Sequence, residues 1–129
     1  MRRKLKLDGG TVSVEGDKLV FELHGVDEIF AIQRRITVPL EHVISVSTDK
    51  VPWAYGEQLR VGGTGIPGLV KDGRYLGDGG AYMFFEMHNP NKCITVNLDH
   101  ETYKKIVFEV DDKEATARTI EDALRARDQ

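Results

Sequence analysis

Residues 58–87 read QLRVGGTGIPGLVKDGRYLGDGGAYMFFEM, a stretch that holds most of the chain's glycines between two segments of strand-like composition. Gly63, Gly65 and Gly68 fit the G-x-G-x-x-G spacing with which dinucleotide-binding folds bring backbone close to a pyrophosphate. That chemistry needs a helix to open directly after the glycines, so that its N-terminal dipole meets the phosphate. Here Pro67 precedes Gly68, and Lys71-Asp72-Gly73 reads as another turn, so no helix is expected and no dinucleotide site. The sequence instead predicts a glycine-rich loop over residues 56–80 with positive-φ turns. Ile66, Pro67, Leu69, Val70 and Tyr75 make that loop apolar, which argues for packing rather than for disorder. Two readings stand: a plug folded back over one end of its own body, or a surface that docks a partner.

At 129 residues the chain is expected to form a single domain over 1–129, large enough to bury a core without metal or disulfide support. Its 40% hydrophobic and 30% charged residues are an ordinary globular balance. A net charge of −3 with the signs interspersed gives no electrostatic reason to expect nucleic acid, nor strong binding to an anionic membrane. The basic N-terminal tail, residues 1–8, is interrupted at Asp8-Gly9-Gly10 before any apolar run of signal length, and is read as a solvated terminus. Cys93 is the single cysteine, which excludes an internal disulfide and suits a reducing, cytoplasmic setting.

Along the chain, Val12 and Val14, then Leu19, Phe21 and Leu23, alternate in two strands joined by Gly16-Asp17, the signature of a tight hairpin. Val26, Ile29 and Phe30 suggest one helical turn. Ile36, Val38 and Leu40 form the next strand, and Ile44 with Val46 another after a bend. Trp53, beside Pro52, is read as the anchor at the root of the glycine-rich loop. Residues 81–87 are apolar on both faces, with Met83, Phe85 and Met87 on one and Tyr82 and Phe84 on the other, so the second face needs cover from the loop, the terminal helix or another subunit. Asn89-Pro90-Asn91 predicts a turn into a second hairpin, whose return strand carries Ile94, Val96 and Leu98. Ile106, Phe108 and Val110 give a seventh strand. Asp111 and Glu114 have capping-box spacing, which predicts an amphipathic helix over 111–127 with Thr116, Ile120, Ala123 and Leu124 on its apolar face.

About seven antiparallel strands followed by one helix predict a mainly β fold, a small, partly open barrel capped by a C-terminal α-helix. The order resembles the pleckstrin-homology-like (PH-like) fold and, more narrowly, a bacterial PH-like family of stand-alone proteins. The resemblance lies in Ile36-Thr37-Val38-Pro39-Leu40, in Gly68-Leu69 with Gly73 and Tyr75, and in Ile106-Val107-Phe108-Glu109-Val110-Asp111-Asp112, and it spans nearly the whole chain. It implies a non-enzymatic binding role and brings no catalytic residues. Phosphoinositide-binding relatives carry basic residues around the first hairpin turn, whereas Glu15-Gly16-Asp17-Lys18 would repel phosphate there.

An enzyme would need Cys93 held against a base and an oriented third group, and nothing in the spacing of His88 and His100 provides that. His24, His42, His88, His100 and Cys93 show no close metal-ligand spacing, so no metal or other cofactor is expected. The sequence therefore points to a module that binds a protein or peptide, or associates with itself, through Trp53, Ile66, Pro67, Leu69, Tyr75, Tyr82 and Phe84. The alternative is a small-molecule or lipid binder in which the loop is a lid over the barrel mouth.

Overall fold

The computed structural model describes residues 10–23, 35–51, 59–66 and 70–128. The helical turn expected near Ile29, the basic tail, Trp53, Pro67 and Leu69 lie outside the described residues.

The first sheet is a three-stranded antiparallel meander of β1 (Gly10–Glu15), β2 (Lys18–Leu23) and β3 (Arg35–Pro39), in that order. The expected hairpin is there: Glu15 pairs with Lys18, and Gly16 turns the chain at φ +66°. A short 3-10 turn, Leu40–His42, tied back by the Leu40 N–H to the Asp17 carbonyl, leads out of the first sheet.

The second sheet has six strands: β4 (Val43–Ser47), β5 (Leu59–Ile66), β6 (Val70–Leu76), β7 (Tyr82–Met87), β8 (Cys93–Leu98) and β9 (Tyr103–Glu109), in the spatial order β4-β8-β9-β7-β6-β5. A mainly β domain with one C-terminal helix is thus present. The nine described strands exceed the seven expected, they fall into two separate sheets, and no closed or curled barrel is seen among the described residues.

Two differences from the sequence reading decide this architecture. Most of the predicted 56–80 loop is sheet: β5 and β6 form an antiparallel ribbon from Leu59↔Leu76 to Ile66↔Val70. Glycine lowers strand propensity without forbidding extended backbone, and pairing supplies the hydrogen bonds that isolated glycine-rich chain lacks. The second difference concerns the turn at Asn89-Pro90-Asn91, which does not close a hairpin. β7 pairs with β9 in parallel, and β8 lies on the far side of β9, antiparallel to it. The central seat goes to β9 because Ile106, Val107 and Phe108 are apolar in succession, so both of its faces can be buried.

Both faces of the large sheet carry a core. On one, Leu19, Phe21, Ile36 and Val38 of the first sheet pack with Phe84, Ile94, Val96, Ile106 and Phe108. The Phe21 and Phe108 rings meet edge-on at 5.4 Å between centroids. On the other face, Val51, Tyr75, Met83, Phe85, Met87, Cys93 and Val107 form a second buried cluster. Ile44 does not follow Val46 inward. The register slips between Val43 and Ser45, so Val43 and Val46 join the core and Ile44 is left 60% exposed.

The helix α1 (Lys113–Arg127) packs against β1, β4 and β8, with Ala117 and Ile120 buried and Ala123 and Leu124 half-buried. Its N-cap is Asp112, whose side chain accepts the Ala115 N–H at 3.1 Å, in place of the Asp111–Glu114 box expected from spacing. No described helix is long and apolar enough to cross a membrane.

Candidate functional site

Of the sequence-predicted contact residues, Tyr75, Tyr82 and Phe84 have described side chains, and Tyr75 and Phe84 fall on opposite faces of the sheet. Tyr75 is buried in the second cluster, where its ring meets Phe85 edge-on at 5.3 Å. Phe84 is buried on the opposite face of the sheet, 5.5 Å from the Tyr103 ring. Of the three, Tyr82 is the exposed one, at the start of β7. Ile66 ends β5 opposite Val70. Residues 83–87 are all buried, so the two-sided apolarity of this segment is the mark of a central strand with both faces already covered.

What the glycine-rich ribbon does place is an edge. β5 is the last strand of the six-stranded sheet, and among the described residues it pairs on one side alone, with β6. Natural edge strands are guarded by charge, proline or bulges. Leu59–Ile66 contains one charged residue, Arg60, no proline, and a register shift confined to the span between Arg60 and Gly62. Beyond it, residues 62–66 form an uninterrupted ladder with Arg74 to Val70 on the inner side.

Two polar clusters lie elsewhere. At the end of β9, Glu109 is buried and its Oε1 accepts the backbone N–H groups of His88 and Asn89 at 2.6 and 2.7 Å. His88 Nδ1 stands 3.6 Å from Glu86 Oε2, and Cys93 lies opposite Glu109 across the β8–β9 ladder. Burial, and then the charges of Glu109 and Glu86, push the Cys93 thiol far above its ordinary pKa, with Lys113 opposing them. A thiol held protonated in this way is a poor nucleophile. The cluster's evident work is to clamp the chain where it leaves β7.

The second cluster joins the 3-10 turn before β4 to the β8–β9 turn. His42 Nδ1 lies 2.6 Å from Glu101 Oε2, and the His42 and His100 rings lie 5.7 Å apart with planes 30° from parallel. The Asp99 N–H donates to the His42 carbonyl at 3.0 Å, fixing the two turns together. Fifty-nine positions separate His42 from Glu101, so no spacing rule could have paired them; the signal available in sequence was a histidine and a carboxylate in each of two turns. Among the described residues no group of three or more His, Cys, Asp or Glu side chains could hold a metal ion. Compared with known proteins, the chain matches no family model, no curated protein and no solved structure.

Proposed function

We propose that the chain is a non-enzymatic binding and assembly module that takes an extended segment, from another protein or from a second copy of itself, along the edge of β5 that pairs with no described strand. The observation that carries this reading is the unguarded ladder edge of residues 62–66 among the described residues. Strand addition draws its affinity from main-chain hydrogen bonds, so a glycine-rich edge suits it: small residues let a second backbone approach closely. The sequence resemblance to PH-like proteins is part of the same reading, supported by a β body with a C-terminal helix. The parallel β7–β9 pair and the division into two sheets depart from it. The buried, protonated thiol of Cys93 agrees with a role other than covalent catalysis.

The test uses proline at adjacent positions of the ladder. Neighbouring N–H groups in a strand point alternately towards β6 and outwards, so of Gly63→Pro and Thr64→Pro one breaks the inner ladder and the other blocks only the edge. Self-association by light scattering, and binding of a synthetic peptide of residues 59–66, are measured for the wild type and for whichever variant keeps its thermal midpoint. Loss of both in the folded variant is the expected result. A wild type that neither associates nor takes up the peptide, or a folded edge variant that binds as well as wild type, would sink the proposal.

A further inference from the structure

We propose that the edge of β5 selects an acidic strand, a specificity that rests on the strand-addition reading above and names the chemistry of its partner. Lys71, Asp72 and Arg74 are the charged residues of β6, and register decides which of them meets the edge. Arg74 lies opposite Gly62 and Lys71 opposite Gly65, whereas the one acid, Asp72, lies opposite Thr64. Both bases therefore stand behind a residue of β5 that has no side chain, and the acid stands behind one that has. Alternation along the strand puts one base on each face of the sheet. Glu86, the next acid inward from Asp72, is buried on β7.

Neighbouring strands lie about 4.8 Å apart, so a strand added beyond β5 runs about 10 Å from β6. Across a glycine, a long basic side chain of β6 and a glutamate of the incoming strand together span that gap. Arg74 is exposed and joins no ion pair with a described residue, so its charge is available to such a partner. A second copy of β5 is the poorer fit. Leu59–Ile66 brings Arg60 as its one charge and no acid, so two copies edge to edge set positive charge against positive charge. Opposite charges across paired strands stabilise and like charges destabilise, which ranks an acidic segment above a copy of the chain.

Titration calorimetry of the full chain with three end-blocked octapeptides tests the selectivity. The parent, Thr-Val-Glu-Thr-Thr-Glu-Val-Thr, reads the same in both directions and spaces its two acids as Gly62 and Gly65 are spaced; the others carry Gln or Lys at both Glu positions. The Glu peptide should bind at least about tenfold more tightly than the Lys peptide, with the Gln peptide between them. In a chain carrying Lys71→Gln and Arg74→Gln together that ratio should fall to about threefold or less, and about 0.5 M NaCl should compress it in the wild type. If the double variant loses its urea midpoint, Arg74→Gln alone, at an exposed position, carries the comparison with about half the effect. Equal affinities for the three peptides, or an unchanged ratio in the folded variant, would overturn the selectivity and leave strand addition standing. No binding of any peptide would remove strand addition and the selectivity with it. Self-association that an excess of the Glu peptide fails to displace would make a second copy the occupant, and would equally overturn the proposal.

Discussion

The carboxylate of Glu109, at the end of β9, accepts the backbone N–H of His88 at 2.6 Å, just past the end of β7. These two strands run parallel, and the chain between them must pass β9 to form β8 before it can return. The exit from β7 therefore cannot be satisfied by a hairpin ladder. Glu109 supplies the missing acceptor for two successive N–H groups, at His88 and Asn89, and the Asn89 side chain then accepts the Asn91 N–H to open the next turn.

Replacing Glu109 separates the clamp from simple packing. Glu109→Ala strands two part-buried donors, which should cost about 2–4 kcal/mol, whereas Glu109→Gln keeps an acceptor oxygen and should cost about 1 kcal/mol. Urea unfolding midpoints decide between them. Equal losses in the two variants would mean that the hydrogen bonds to the exit turn contribute little.

Cys93 should make the fold sensitive to alkali. Its thiol pKa is raised by burial and by Glu109 and Glu86, so the folded state keeps the proton after the unfolded chain has lost it. An unfolded thiol titrates near about 8.5. Above that pH the unfolded state binds fewer protons than the native one, so stability falls as pH rises, by up to about 1.4 kcal/mol per pH unit from this group. Tyr103, raised by burial with Arg74 opposing, adds the same sign of effect above about pH 10. The stability gap between wild type and Cys93→Ala should therefore narrow between about pH 8.5 and 9.5. Parallel stability curves for the two would contradict this, as would rapid iodoacetamide labelling of the native chain at pH 8.

Much of this fold can be read from the alternation of single strands. The Gly16-Asp17 hairpin, the inward set Leu19, Phe21, Ile36 and Val38, and the terminal helix all follow from local pattern, because each is specified by residues near one another in sequence. Pairing order is not. Whether β8 lies beside β7 or beyond β9 depends on which strand can bury two faces, and the signal was the unbroken apolar run Ile106-Val107-Phe108. The glycine-rich ribbon misled for the opposite reason: its local preference is for turns, and the ladder with β6, which decides the outcome, is non-local in energy though near in sequence. The same limit hid the pairing of His42 with Glu101, whose residues meet only because two turns are brought to one corner. As for the predicted contact residues, Phe84 and Tyr75 carried the composition of a docking surface and occupy the core, since large aromatics serve either end.

Gly10 has a role that its composition alone does not reveal. A Cβ built there would lie 2.6 Å from Phe108 Cζ and 2.9 Å from the Glu22 carbonyl oxygen, so β1 can close on the core only without a side chain. Gly10→Ala should destabilise by about 1–3 kcal/mol through overpacking. Phe108→Leu alone should cost about 1 kcal/mol, and combined with Gly10→Ala it should recover part of the loss, because the ring that is struck has been shortened. Strict additivity of the two changes would show that the clash is relieved by backbone movement elsewhere.

Two adjacent acids at the start of α1 allow a sharper comparison. Spacing alone favours Asp111 as the cap, with Glu114 answering it three residues on. In the structure the helix begins at Lys113, and Asp112 caps it, its Oδ1 accepting the Ala115 N–H while its carbonyl takes the Thr116 N–H and hydroxyl. Asp112→Ala should therefore cost about 1 kcal/mol, since an orphan N–H loses its acceptor and the helix N-terminus loses a favourable charge. Asp111→Ala removes only a charge one residue further from the dipole, and should cost no more than a few tenths, about 0.3 kcal/mol. Because α1 packs on β1, β4 and β8 together, the loss in Asp112→Ala should appear in the global urea midpoint as well as in helical circular dichroism. A larger loss in Asp111→Ala than in Asp112→Ala would place the cap one residue earlier and restore the Asp111–Glu114 pairing.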